Sequence, residues 1–339
     1  MTAPLGLCLR PQFGGEYSID TMRRHAELAD AHGFHSVWLA ESWGQNAIPV
    51  LADLAARTSR VTVGTAIVNV FSRTPSLLAM TASTMTELYP GRFILGIGAG
   101  TRALVEDWHG LSFAKPISRL RDTVAVVKSA TTGEKVDYTG ATVRVSGYRL
   151  RVPVDQPPAP VYVAALGERG LDLVAEVADG WLPYLLARRR LPEYVARIDT
   201  AARAAGRDTR PTIAPFVVAC VDEDPATARR QARKHIASYL GAMGPHYREF
   251  VAGHGYADQV DAVATAWAER DRDRAAAAIP DEMVDDIAVC GTPADCADQL
   301  ELWRRAGAEL PILHFPSATT AHGVELAIRT LASAEAVAR

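Results

Sequence analysis

Short apolar runs alternate with longer helical patterns along almost the whole chain, and this rhythm limits the possible folds more than any other feature. Eight apolar runs are predicted as β-strands, and seven of them are followed directly by a predicted helix. The predicted strands are 5–10, 36–40, 61–68, 92–97, 161–165, 180–184, 212–221 and 310–315. Near-continuous apolar strands are typical of a parallel sheet that is buried on both faces. Eight such units close most simply into a barrel, so the predicted fold class is α/β, a (β/α)8 TIM barrel, with a doubly wound open sheet as the alternative.

Two segments depart from this rhythm. Residues 135–153 alternate apolar and polar side chains around turn residues, which predicts a small β-hairpin. Residues from about 225 to 290 have helical patterns and predict a helical insertion late in the chain. No longer repeat and no low-complexity linker interrupts the sequence, so residues 1–339 are predicted to form a single TIM-barrel domain.

Composition narrows the class of protein. The chain has 339 residues, of which 48% are hydrophobic, so a large core can be buried. The formal net charge of -3 argues against a nucleic-acid partner, which usually requires a basic face. No run of 18 apolar residues occurs, so no membrane span is predicted. The four cysteines lack metal-binding spacings, and we expect buried free thiols in a cytoplasmic protein.

In an α/β barrel the active site lies at the carboxyl ends of the strands. The residues at the predicted strand ends include few groups suited to general acid–base catalysis, but several small residues and aromatic side chains. The selected residues are Arg10, Gln12, Glu41, Ser42, Trp43, Asn69, Ser72, Gly98, Gly100, Thr101, Leu166, Gly167, Trp181, Tyr184, Cys220 and His314. Such a set suits a planar ring better than a metal ion, and no metal site is predicted.

Two glycine clusters are candidates for binding phosphate. Residues 164–170 end a strand and open a helix, so backbone N–H groups and the helix dipole would face an anion; an ordinary helix start is the alternative. Residues 95–101 resemble a loose G-x-G-x-G motif, but no helical pattern opens directly after them, and a tight turn explains them equally well.

Two ionisable side chains stand out near the strand ends. Glu41 follows an apolar strand, where a carboxylate should be solvated, paired or functional, and we favour a functional role. His109 comes just after the glycine cluster at 95–101; a single histidine is more often a packed or solvated residue than a catalyst, and catalysis or contact with substrate is the functional alternative.

Three short patterns stand out along the chain: R-T-P, G-R-F-x-L-G-x-G and A-D-G-W. With the segments at 34–42, 60–100, 106–110, 161–181, 239–247 and 291–300, they resemble the luciferase-like monooxygenase superfamily and, within it, the oxidoreductases that use the deazaflavin coenzyme F420. The segments follow one another in the order expected for that family. The resemblance implies an α/β barrel with an insertion late in the chain, and a homodimer is possible, since barrels of this type often pair through helices of the first half.

The resemblance also implies a coenzyme site. The family places a cis non-prolyl peptide against the central ring of the coenzyme, and the matching bond is Ala66–Ile67. The remaining coenzyme contacts carried over are Glu41, Asn69, the loop Gly98, Ala99, Gly100 and Thr101, and Ala165, Leu166 and Gly167 around the phosphate. The expected cofactor is coenzyme F420, with FMN as the alternative.

Two departures from the family bear on the substrate. The sugar-phosphate dehydrogenases of this family have Asp-His where this chain has Glu41–Ser42, and a glutamate where it has Thr101. Both proton-transfer groups are therefore absent, and the chain looks nearer to reductases of methylene-pterins or of unsaturated or imine-bearing small molecules. Glu41 is the candidate that would accept or supply a proton, while Ser42, Asn69 and His109 would hold the substrate. The two rival functions are an FMN-dependent monooxygenase and a non-catalytic barrel that binds a flavin.

Overall fold

The computed structural model describes residues 3–9, 18–42, 44–153 and 155–332. Among the strand-end residues selected above, Arg10, Gln12 and Trp43 lie outside the described residues. Of the helices in the described part, none combines the length and the apolar character needed to cross a bilayer.

The strands are short and, except for one hairpin, parallel to their neighbours. They are β1 (Gly6–Leu9), β2 (Ser36–Leu39), β3 (Thr62–Thr65), β4 (Val68–Asn69), β5 (Phe93–Gly98), β6 (Lys135–Thr139), β7 (Arg144–Arg149), β8 (Val161–Ala164), β9 (Gly180–Trp181), β10 (Thr212–Ile213), β11 (Phe216–Val221), β12 (Ala288–Gly291) and β13 (Ile312–His314).

Helices follow most of these strands. They are α1 (Ile19–Ala31), α2 (Ala47–Arg57), α3 (Pro75–Leu88), α4 (Pro116–Ala130), α5 (Glu168–Val177), α6 (Leu191–Ala204), α7 (Pro225–Ala242), α8 (Pro245–Val251), α9 (Ala257–Ala268), α10 (Arg272–Ala277), α11 (Asp281–Ile287), α12 (Pro293–Arg305) and α13 (Ala321–Leu331). Single π-helical turns occupy Leu104–Trp108 and Ala252–Tyr256, and a 3-10 turn occupies Arg188–Arg190.

The chain divides into two compact units. The first unit comprises 1–34, 183–196 and 213–339, and the second comprises 35–182 and 197–212. In the first unit the strand order is β1-β13-β11-β12, and in the second it is β9-β8-β5-β3-β2, with β4 beside β5. All of these neighbours are parallel, and each strand carries buried apolar residues, as expected for a sheet covered by helices.

Side chains at the strand-to-helix turns start the helices of the second unit. Asn46 accepts a hydrogen bond from Ile48 N at 3.1 Å and caps α2. Thr74 accepts one from Leu77 N at 3.2 Å and caps α3, whose first turn holds Pro75. Both caps satisfy N–H groups that have no partner within the helix, so each helix begins directly after the loop that follows its strand.

The predicted hairpin at 135–153 is confirmed by the antiparallel pair β6 and β7. One buried carboxylate of α4 fastens it: Asp122 accepts hydrogen bonds from Tyr138 Oη at 2.8 Å, from Thr142 N and Oγ1 at 2.6 Å, and from Val143 N at 3.1 Å. The predicted helical insertion is also found, as α7 to α11 of the first unit.

Several predicted strands need correction. The predicted strand 61–68 is two strands, β3 and β4, separated by Ala66–Ile67, and the predicted strand 212–221 is broken between β10 and β11 at Pro215, which has no N–H for the ladder. The predicted strand 180–184 ends as a regular strand at Trp181, and Tyr184 continues it only as an isolated bridge to Phe216. The strand β12 was not predicted at all; it is paired with β11, and its four residues follow α11 without a turn signal.

Candidate functional site

Two predicted coenzyme positions, Asn69 and Gly98, lie at neighbouring strand ends of the second unit, beside the residue that precedes a third, Ala165. Asn69 of β4 is in register with Gly98 of β5, and Gly98 is in register with Ala164 of β8, which is followed by Ala165. Val70 N donates to Gly98 O at 3.0 Å and holds the first two ends together. The structure therefore brings together residues that are 29 and 66 positions apart in the chain.

Glycines allow the close approach of these strands. A Cβ atom at Gly96 would lie 1.9 Å from Thr65 O, and one at Gly98 would lie 2.9 Å from Ile67 Cγ1. The hydroxyl of Thr65 donates to Gly96 O at 2.6 Å and accepts from Gly96 N at 2.8 Å, which joins β3 to β5 just before the chain reaches Ala66. Ile67 therefore packs across the end of β5, where only glycine leaves room for it.

The peptide bond Ala66–Ile67 is cis, as the resemblance implied. Its two residues are half-buried and are tied to the end of β2: Ala66 N donates to Leu39 O at 2.8 Å, and Glu41 N donates to Ile67 O at 3.3 Å. Glu41 is thus adjacent to the residues predicted to meet the coenzyme ring.

The carboxylate of Glu41 is paired. Arg73 donates to it twice, from Nε at 3.2 Å and from Nη2 at 2.7 Å, and Ala47 N at the start of α2 donates at 2.9 Å. The side chains of Arg73 and Glu41 are only 13% and 14% exposed, so the pair is largely shielded from water. Three N–H groups occupy its two oxygens, so this carboxylate suits an anchoring role. Ser42 follows it and is half-buried.

Asn69 and His109 meet in the structure. Asn69 is buried, and its Oδ1 accepts from Phe71 N at 3.0 Å and from Ser72 N at 2.8 Å, so its Nδ2 faces the other way. That Nδ2 lies 3.4 Å from His109 Nε2. Because an amide nitrogen only donates, Nε2 must accept, and a neutral His109 carries its ring proton on Nδ1. The half-buried imidazole is therefore held in one orientation and one tautomer.

The first glycine cluster differs from the prediction, because a helical segment does open directly after it. Residues 102–108 are helical, Thr101 Oγ1 accepts from Leu104 N at 3.2 Å, and Thr101 O accepts from Val105 N at 3.1 Å. The short length of this segment and its π-helical turn explain why the usual helical period is not visible in the sequence. Gly100 has a φ of 70°, which favours glycine, and Ala99 between the two glycines is half-buried.

The second glycine cluster forms the start of α5, as predicted. Gly167 precedes the helix with a φ of 72° and is exposed, with no heavy atom within 4 Å of the place a Cβ would occupy. The first N–H groups of a helix lack partners within it, so 167–170 presents donors at this end. Ala165 is buried and half-buried Leu166 follows; Ala165 O accepts from Trp181 Nε1 at 2.9 Å, which fixes the strand end ahead of the turn.

The sequence interpretation missed Arg73 as a site residue, although it belongs to the R-T-P pattern. The sequence signal for Arg73 was its positive charge, because a strand-end carboxylate such as Glu41 needs a partner when it is shielded from water. Within the described part of the chain, no three His, Cys, Asp or Glu side chains are arranged to hold a metal ion.

Known proteins resemble this chain in both sequence and fold. The sequence model of the luciferase-like monooxygenase family matches residues 5–310, so the chain belongs to this family. A structure of a coenzyme F420-dependent tetrahydromethanopterin reductase from Methanopyrus kandleri superposes with a TM-score of 0.82 at 20% identity, over 98% of this chain and 99% of that one. This likeness shows the fold class to be α/β, of the TIM-barrel type, as predicted.

Two relatives in sequence are named as an oxidoreductase and a reductase. A protein of Mycobacterium tuberculosis, provisionally named a coenzyme F420-dependent oxidoreductase, is 32% identical over 327 residues, 90% of this chain and 94% of that protein. The 5,10-methylenetetrahydromethanopterin reductase of Archaeoglobus fulgidus is 29% identical over 308 residues, 87% of this chain and 91% of that protein. The resemblance inferred from the sequence is confirmed.

Proposed function

We propose that this protein is a coenzyme F420-dependent oxidoreductase that transfers a hydride between the deazaflavin and a small organic substrate carrying a C=C, C=N or methylene-pterin type group. The observation that carries the proposal is the alignment of Asn69, Gly98 and Ala164 across three neighbouring strand ends, in a chain that has relatives named for this coenzyme. Glu41–Ser42 and Thr101 support a reductase over a sugar-phosphate dehydrogenase, because that activity needs proton-transfer groups these residues do not supply.

The residues present fit a coenzyme with a flat ring and a phosphate tail. Gly167 offers open space and backbone donors at the start of α5, where an anion is stabilised by the helix dipole. Ile67, packed over Gly98, presents an apolar surface suited to one face of a ring. The loop Gly98, Ala99, Gly100 and Thr101 and the amide of Asn69 would border the same ring.

When bound, the coenzyme supplies the hydride chemistry, and the protein supplies orientation and a dry site. The Arg73–Glu41 pair holds the loop after β2 against Ile67, which keeps the ring-binding surface in place. His109, oriented by Asn69, would donate from Nδ1 to a polar group of the substrate. Such positioning can lower a barrier by several kcal/mol.

The experiment is a fluorescence titration of the coenzyme-free protein with F420 and, in parallel, with FMN. We expect F420 to bind with a dissociation constant of about 1 μM or less, which corresponds to a binding free energy on the order of -8 kcal/mol. FMN should bind more weakly. Tight FMN binding with no F420 affinity would instead favour the FMN-dependent monooxygenase, which the family as a whole allows. Oxygen uptake by the protein loaded with reduced coenzyme separates the two, and binding without any turnover would indicate the non-catalytic barrel.

The phosphate site has a test of its own. Glu168, in the first turn of α5, is a negative charge beside the proposed phosphate position. Glu168→Gln should tighten F420 binding by about 2–5-fold through loss of repulsion and leave binding of a phosphate-free deazaflavin unchanged. Glu176→Gln, near the far end of the same helix, is the matched control and should change neither. Equal effects of the two variants would contradict the placement of the phosphate.

The proposed enzyme also has an expected compartment and expected partners. We expect the enzyme to work in the cytoplasm, and its four cysteines, all buried free thiols, suit a reducing compartment. Its expected partners are a small-molecule substrate and a second copy of the chain.

A further inference from the structure

We propose that Phe113 is a positioning residue whose ring, stacked on Phe71, holds His109 beside Asn69 in the orientation that the reduction requires. The inference rests on the proposed function, in which His109 donates a hydrogen bond to the substrate, and it adds the side chain that fixes where the imidazole stands. All four residues belong to the second unit, as does the coenzyme site described above.

The loop that carries His109 is shielded from water at two residues. Of residues 109–115, His109 and Phe113 are half-buried and the other five are exposed. His109 Nε2 lies 3.4 Å from Asn69 Nδ2, which is longer than the roughly 3 Å typical of a hydrogen bond from a nitrogen donor. A contact of this length is weak, so the imidazole needs a second attachment to keep one orientation.

Phe113 supplies that attachment. Its ring stacks on the ring of Phe71, with centroids 5.2 Å apart and planes 30° from parallel. Phe71 is 8% exposed, and its N–H donates to Asn69 Oδ1 at 3.0 Å, so the amide and the ring are held in one frame. The loop meets the amide through its imidazole and the ring through Phe113. Stacked aromatic pairs are stabilising beyond the apolar area that they bury.

A guanidinium adjoins each ring of the stack. The guanidinium carbon of Arg119 lies 5.1 Å from the centroid of Phe71, and that of Arg102 lies 5.3 Å from the centroid of Phe113. Arg119, on α4, also donates from Nε to Val70 O at 2.8 Å, next to Phe71 in the chain. Cations over aromatic faces are favourable. The stack is therefore fixed by α4 at one ring and by the helical segment before the loop at the other.

Hydrogen bonds tie Phe113 to the segment that carries the imidazole. Phe113 N donates to Glu106 Oε1 at 3.1 Å, and Leu111 N donates to Val105 O at 3.0 Å. Gly110, with a φ of 65°, turns the chain back along this helical segment. Because the loop is short and bonded at both points, a displacement of Phe113 also displaces the imidazole, four residues before it.

A fixed imidazole matters because its two nitrogens have different roles. With Nε2 facing the amide of Asn69, a neutral His109 carries its proton on Nδ1 and donates from there. An imidazole that loses its second attachment populates the other tautomer and other orientations, in which no donor meets the substrate. A misplacement of about 1 Å in a positioned group can lower a rate by about 100-fold. Phe113 therefore acts through His109 and not on the substrate itself.

The first test needs no coenzyme and compares variants of the ¹⁵N-labelled protein at about pH 8, where free imidazole is neutral. Phe113→Ala should move the two ring ¹⁵N signals of His109, assigned with His109→Gln, toward those of an imidazole that exchanges freely between tautomers. Phe113→Tyr keeps the stacked ring and should retain the wild-type signals. Tyr148→Ala removes a half-buried ring of β7 in the same unit and, as the matched control, should leave them unchanged. Unchanged His109 signals in Phe113→Ala would overturn the proposal.

The second test is kinetic and asks whether the effect passes through His109. With reduced F420 and cyclohexenone or a cyclic imine as probes, Phe113→Ala should lower kcat by about 10–100-fold, with the F420 dissociation constant within about 2-fold of wild type. In a His109→Gln background the same substitution should cost less than about 2-fold, because the group that it positions is already gone. Equal losses in the two backgrounds would contradict a positioning role.

Two further outcomes are kept apart by these measurements. Phe113→Leu keeps apolar volume without the stack, and it should give the same changes in both tests if Phe113→Ala does not fold. Absence of F420 binding by the wild type would overturn the proposed function. In that case the ¹⁵N signals of His109 still decide, without coenzyme or substrate, whether Phe113 positions the imidazole.

Discussion

The carboxylate of Glu41 receives three N–H groups, two from Arg73 and one from Ala47. The surroundings of Glu41 shield it from water, so its pairing contributes more to the stability of the fold than a surface ion pair does. Asn69 acts differently: its oxygen is occupied by two backbone N–H groups, and this selects the tautomer of His109. In both cases hydrogen bonds to one side chain fix how it faces its neighbours.

Arg73→Gln should lower the free energy of unfolding by about 1–3 kcal/mol, because it leaves a shielded carboxylate with one N–H partner. Adding Glu41→Gln should recover part of the loss, since no unpaired charge then remains. The control is Arg102→Gln, which breaks the more exposed pair with Glu106 and should cost less than about 1 kcal/mol. Urea unfolding measures all of these; equal losses for the two arginine variants would show that shielding is unimportant here.

At the scale of elements, the β6–β7 hairpin depends on Asp122. Burial alone would raise the pKa of this carboxyl, but the hydrogen bonds from Thr142, Tyr138 and Val143 outweigh it and bring the pKa below its ordinary value. A carboxyl whose pKa is lower in the folded state stabilises the protein above the unfolded-state pKa, about 3.9, and loses that contribution as the pH falls through the folded-state value.

Asp122→Asn should therefore lower the free energy of unfolding by about 1–3 kcal/mol at pH 7, because bonds to a charged acceptor are replaced by weaker ones. The difference from wild type should shrink as the pH is lowered from 5 to about 3. Asp298→Asn, at an exposed position of α12, serves as the control and should have little effect. A difference that stays constant over this range would contradict the role of the ionised carboxylate.

The sequence predicted the helices and strands whose apolar patterns are long and depend only on neighbouring residues. The helices α1 to α7, the β6–β7 hairpin and most strand positions follow from apolar period and turn residues. Strand β12 was missed because its form depends on pairing with β11, a distant segment. The π-helical turn after Thr101 was missed because it is too short to show the helical period, and the break at Pro215 had a local signal, the missing N–H, that the prediction did not use. Glu41 and His109 could be proposed from their positions after predicted elements, whereas Arg73 was missed because its contact with Glu41 joins residues 32 positions apart.

At the scale of the whole molecule, the family match covers residues 5–310 and the likeness in fold covers 98% of the chain, so the helices α7 to α11 lie within the matched region. We propose that the glycine clusters and Asn69 serve the coenzyme site. Differences in substrate between relatives are therefore expected to arise in the insertion and in the loops beyond the strand ends.

The outer face of α3 is where we expect two copies of the chain to pair. The outer face of α3 exposes Leu77, Met80 and Leu88, which are 42%, 49% and 57% exposed and lie on one side of the helix. Apolar patches of this kind mark interaction sites, and we expect a second copy of the chain to cover this one. Light scattering should give twice the monomer mass for the wild type, and Met80→Glu should shift it toward the monomer. Leu302→Glu, an equally charged change at a 40% exposed position of α12, should keep the dimer mass. A monomeric wild type, or a Met80→Glu variant that remains dimeric, would contradict pairing through α3.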